Sequence, residues 1–120
     1  MRITSISVAL VACVLSAPAL AQKAPNKFDG NWSVEVITRQ GECDKVYRYP
    51  IIVQNGAIRY GGREAFSASG GVSGSGAVNG TISRGEQRAQ VTGRVSGASG
   101  NGTWKTSTGC SGVWNADKRG

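Results

Sequence analysis

Proton transfer near neutral pH needs a group that titrates there, and this 120-residue chain contains no histidine. That removes the usual general base, the Ser-His and Cys-His nucleophile systems and the commonest transition-metal ligand. The carboxylates left for acid–base work include Glu35, Glu42, Asp44, Glu64, Glu86 and Asp117. A two-carboxylate hydrolase holds its pair at a defined separation in a cleft. Glu42 and Asp44 are close in sequence, but they fall in a loop, where solvated charge is the ordinary role. Gly70 to Gly76 lacks the aspartate of the calcium-binding glycine repeats, and no glycine-rich loop opens a helix, so neither a calcium solenoid nor a phosphate cradle is supported. The expectation is a protein that is not an enzyme, uses no cofactor or metal, and acts by binding.

Binding chemistry has better candidates. All three tryptophans stand in a Gly-x-Trp pattern, at Gly30-Asn31-Trp32, Gly102-Thr103-Trp104 and Gly112-Val113-Trp114. If their strands are neighbours, the rings could gather at one end of the fold, each beside a glycine that lets a ring lie on bare backbone. Such a cluster is either an aromatic plug or the lining of a pocket for a flat, apolar ligand. Trp32, Trp104 and Trp114, with Arg119 at the chain end, are therefore the candidate ligand contacts. Glu42, Asp44 and Lys45 are the candidate contacts for an extracytoplasmic protein partner at a loop rim. A structural or surface-associated module with a solid core is the rival to both.

The elements that position these residues follow from side-chain parity. Trp32, Val34 and Val36 alternate with Ser33, Glu35 and Ile37, and the run 46–54 sets Tyr47, Tyr49, Ile51 and Val53 against Arg48 and Ile52. Further on, Phe66, Ala68, Val72, Val78 and Ile82 share one phase, which flips after Gly85 so that Ala89, Val91, Gly93 and Val95 share the other. A period of two marks half-buried strands. Asn55-Gly56 is the strongest turn signal, because both residues tolerate the left-handed backbone of a type I′ hairpin. Strands are expected at 31–39, 46–54, 57–60, 65–72, 77–83, 87–96, 101–106 and 110–116. Asn79-Gly80 could be a turn of its own, changing the count by one, and Pro50 hints at an edge or a bulge. Eight strands with short links are the count of a small closed meander barrel.

Compartment and size agree with that fold. Arg2, the apolar run 6–15 and Ala19-Leu20-Ala21 read as a secretory signal peptide over residues 1–21, followed by a disordered lead-in at 22–27 and a barrel domain over 28–120. After cleavage no segment would span a membrane. Cys13 leaves with the signal peptide, so Cys43 and Cys110 are the thiols of an exported chain and are expected to be bonded to each other. In an up-and-down barrel of eight strands the loop after the first strand and the start of the eighth share a rim, which brings the two cysteines together, as an open two-sheet sandwich could also do. The formal net charge of +7 is spread over the whole chain, as suits a solvated outer face and not a specific nucleic-acid surface.

Gly30-Asn31-Trp32 on the first strand, with a basic residue just after the last, resembles the Gly-x-Trp signature of the calycin barrels, the lipocalins and avidins. That resemblance implies that Arg119 or Lys118 covers the first tryptophan. The frame Phe28-Asp29-Gly30-x-Trp32, Cys43, Tyr47-Arg48-Tyr49-Pro50, Asn55-Gly56 and Cys110-Ser111-Gly112-x-Trp114 also resembles a group of small exported, uncharacterised bacterial proteins, and implies a periplasmic or secreted setting.

Overall fold

The computed structural model describes residues 26–120. The expected signal peptide, and the lead-in up to residue 25, lie outside the described residues. Eight antiparallel strands run β1 (Gly30–Gln40), β2 (Val46–Gln54), β3 (Ala57–Tyr60), β4 (Ser67–Val72), β5 (Ala77–Arg84), β6 (Gln87–Ser96), β7 (Ser99–Thr106) and β8 (Ser111–Lys118). Each pairs with the next, and β8 pairs back onto β1 from Trp32↔Lys118 to Gln40↔Ser111, which closes the sheet into a barrel. Closure leaves no free strand edge.

Most of the strand expectations hold. Asn55 at φ 52° and Gly56 at φ 79° form the left-handed hairpin turn between β2 and β3. Asn79-Gly80 is not a turn: both residues lie inside β5, paired with Gly71 and Gly70 of β4 and with Thr92 and Val91 of β6. Nor does Pro50 mark an edge or a bulge. Its carbonyl accepts a hydrogen bond from the Gly61 amide at 2.7 Å. Its nitrogen therefore faces the same side, where the β2–β3 ladder ends at Ile51↔Tyr60, so the missing N–H interrupts no pairing. The register shift falls in β1 instead, between Thr38 and Gln40.

The alternation places Trp32, Ile51, Val53, Val78, Val95, Trp104, Trp114 and Ala116 in the core, while Arg88 and Arg94 are exposed. The Gly-x-Trp repeats of β7 and β8 interlock. Because the strands are antiparallel, Gly102 stands opposite Trp114 and Trp104 opposite Gly112. The Trp114 indole crosses Gly102 and Gly93 and donates to the Thr92 carbonyl at 3.0 Å. A Cβ added at Gly93 or Gly102 would lie 2.5 or 2.6 Å from that ring, so both positions require glycine. Trp104 Nε1 reaches the carbonyls of Val113 at 3.2 Å and of Ile37 at 3.1 Å, bonding the last hairpin to the first strand.

One end of the barrel is sealed. Phe28, 3 % exposed, plugs it, and its carbonyl accepts the Trp32 Nε1 proton at 2.9 Å. The seal reaches back into the expected lead-in: Asn26 Nδ2 donates to the Val72 carbonyl at 2.8 Å, and the Asn26 side chain accepts the Phe28 amide at 2.7 Å. Asp29 holds the adjacent hairpin, its carboxylate accepting the amides of Asn55 and Gly56 at 2.9 Å each.

These amide bonds, the one from Gly56 foremost, keep the Asp29 carboxyl below its ordinary pKa. A carboxylate depressed in the folded state stabilises the fold above its unfolded pKa, about pH 4, and loses that contribution as pH falls through the folded value. Asp29→Asn should therefore melt below the native protein at pH 7, and the gap should narrow as pH falls below about 4. Thermal melts showing the same gap at pH 2.5 and pH 7 would contradict this role for Asp29.

Candidate binding site at the barrel mouth

The opposite end is open. Its rim carries the links β1–β2, β3–β4, β5–β6 and β7–β8, and the Cys43–Cys110 disulfide bridges the first of these to the last, with a Cα–Cα distance of 6.1 Å. Inside the rim lies a cavity of about 390 Å³. Val34, Ile82, Val91 and Trp114 line both this cavity and a much smaller one, about 60 Å³, below it. These four residues form the floor of the mouth. The lower space is apolar and has room for only a few water-sized atoms.

One wall of the mouth is aromatic because of strand parity and one loop residue. Tyr47 and Tyr49 project from the same face of β2, their centroids 4.7 Å apart. Phe66, at the end of the β3–β4 link, packs edge-on to Tyr49 at 5.0 Å and lies 5.8 Å from Tyr47 and 5.4 Å from Tyr60. The wall facing it, from β5 and β6, sets the small side chains of Ser83 and Ala89 beside Arg84, Gln87 and Arg88 of the hairpin. Burial raises the Tyr49 phenol pKa, with Tyr47 and Asp44 adding to the rise and Arg84 opposing it. The Tyr60 hydroxyl donates to the Glu64 carboxylate, which pushes the phenol up to about 12 and holds Glu64 below its ordinary value.

The expected contacts divide between the two ends. Trp32 belongs to the sealed end and lines only the lower space; Trp104 lines only the mouth; Trp114 lies in the floor between them. The three rings are thus strung along the barrel and not gathered at one end. The reason is the interlock: antiparallel Gly-x-Trp pairs set Trp104 and Trp114 on different rungs of the ladder, and Trp32 pairs two rungs beyond Ala116. At the chain end, Lys118 is the basic residue paired with Trp32, and its ammonium reaches the Lys27 carbonyl at 3.5 Å. The Arg119 side chain is exposed, and its backbone amide bonds the Asn31 carbonyl at 2.6 Å. Glu42 and Asp44 line the mouth, whereas Lys45 is exposed and does not.

Sequence reasoning missed Tyr47, Tyr49, Phe66, Arg84 and Arg88 as mouth residues. The available signal was the pair of tyrosines at i and i+2, next to the cysteine-bearing loop. Among the described residues, no three His, Cys, Asp or Glu side chains come together as a metal cluster would require. No protein-family model, curated protein or solved structure matches the chain.

Proposed function

We propose that the protein is an exported, non-catalytic barrel that takes a small apolar or aromatic ligand into its mouth. The observation that carries this is the 390 Å³ cavity walled by Tyr47, Tyr49 and Phe66 at the open end, a volume within the range of small-molecule sites. The sealed end offers no comparable room, so the ligand enters from the disulfide rim. Export is supported by the leader-like first 21 residues and by the disulfide, which suits an oxidising compartment. The absence of histidine from the sequence supports a binding role over a hydrolytic one.

The test uses N-phenyl-1-naphthylamine, a neutral probe that brightens in apolar surroundings. Saturable binding with one probe per barrel is expected, weakened about tenfold by Phe66→Ala, the loss of roughly 1.4 kcal/mol of ring contact. Trp32→Phe, at the sealed end, should leave the affinity unchanged. Absence of saturable binding, or equal binding by the Phe66 variant in its folded form, would remove the ligand-binding reading.

A further inference from the structure

The charges around the mouth are divided by side. In a ring of eight strands the β1–β2 link and the β5–β6 hairpin are four strands apart, so they face each other across the opening. The first brings Glu42 and Asp44 to the cavity, and the second brings Arg84 and Arg88. Among the described residues none of these four is in an ion pair, the recorded one being Arg48–Glu35 on the outer face, although the Arg84 charge also helps to hold the Glu64 carboxyl below its ordinary pKa. Arg84 is also held in place, its guanidinium 5.2 Å from the centroid of the Phe66 ring.

We infer that the mouth selects a zwitterion, a small molecule whose apolar body carries a cationic group at one end and an anionic group at the other. This rests on the ligand-binding reading above and specifies its ligand. The apolar body lies against Tyr47, Tyr49 and Phe66, with the cation toward Glu42 and Asp44 and the anion toward Arg84 and Arg88. An uncharged ligand of the same size would strip water from both charged walls and return nothing to either. A ligand with one charge would satisfy only one wall. Beside the aromatic wall each contact is stronger than the same pair in open water.

Four naphthalene probes separate these possibilities: 6-(aminomethyl)-2-naphthoate, which carries both charges; 2-naphthoate, with the anion alone; 2-(aminomethyl)naphthalene, with the cation alone; and uncharged 2-naphthamide. Calorimetric titration of the disulfide-bonded protein in low salt should rank the zwitterion about fivefold tighter than either singly charged probe, each exposed charge contact supplying a factor of that order. In 1 M sodium chloride the advantage should largely vanish. Arg84→Gln should reduce the zwitterion to the affinity of the amine probe without changing the amine itself. The double change Glu42→Gln with Asp44→Asn should do the reverse, reducing the zwitterion to the affinity of 2-naphthoate. All three side chains altered are exposed, so these variants fold. Equal affinities for the four probes would overturn the zwitterion assignment and leave the apolar site standing, as would naphthoate binding as tightly as the zwitterion. If none of the four binds, the zwitterion assignment and the ligand-binding reading both fall.

Discussion

Trp32→Ala is expected to destabilise the barrel by about 3 to 5 kcal/mol, the range for truncating a large aromatic in a core. Trp32 is 4 % exposed, and its indole N–H bonds the carbonyl of the Phe28 plug. Truncation therefore opens a void above the plug and orphans a buried carbonyl, two costs that add. For a domain of this size the loss corresponds to a fall in melting temperature of more than about 12 °C. Arg94→Ala, on the opposite face of its strand, should cost under about 0.5 kcal/mol, because its side chain is exposed and reaches only the Ser75 carbonyl at 3.4 Å. Urea melts of the two variants decide the matter. Comparable losses from both would mean that the inner and outer faces have been assigned the wrong way round.

Breaking the disulfide comes next in size. The half-cystines are 67 residues apart in sequence, and closing a loop of that length constrains the unfolded chain by about 4 kcal/mol in the entropic account. A barrel of this length buries only about two-thirds of its unfolded surface, so that contribution is a large share of its margin. The double variant Cys43→Ala with Cys110→Ala should unfold at markedly lower denaturant, and dithiothreitol should shift the native protein to the same midpoint. An unchanged midpoint after complete reduction, verified by a mass gain of about 2 Da, would show that β1–β8 pairing alone keeps the barrel shut.

The strands were legible where side chains alternate in size. β2, β3 and β6 begin and end where parity and the Asn55-Gly56 turn place them. The weak spots were stretches of small residues. Gly97 to Gly100 reads as one four-residue link, yet only Gly97 and Ala98 turn, because Ser99 pairs with Ser96 and Gly100 with Val95. A strand of Ser, Gly and Asn has no alternation to detect, and closure of the ladder recruits it. Phe66 reads as strand from its parity but lies just ahead of β4, turned into the mouth. The candidate site was harder to read for a different reason. A cavity is what remains between side chains from opposite walls, here tyrosines on β2 facing Ala89 on β6, and no local pattern reports a sum taken across the barrel. The sealed end was hidden in the same way: the Phe28-Asp29 pair carries no periodic signal, although both side chains are fully used.

The interlocked Gly-x-Trp pairs also bear on how the barrel avoids closing wrongly. A shift of β8 by one residue would turn Trp114 out to solvent, which burial forbids. Shifts by two residues preserve the faces and are the harder error to exclude. Slipped one way, Trp104 meets Trp114 and two indoles compete for the space of one; slipped the other way, Gly102 meets Gly112 and a hole opens where a ring should lie. Only the native pairing fits ring to glycine twice over. That pairing also aims Trp104 at the Ile37 carbonyl and delivers Cys110 to Cys43. The last hairpin thus specifies its own alignment, and the disulfide ties down the same closure.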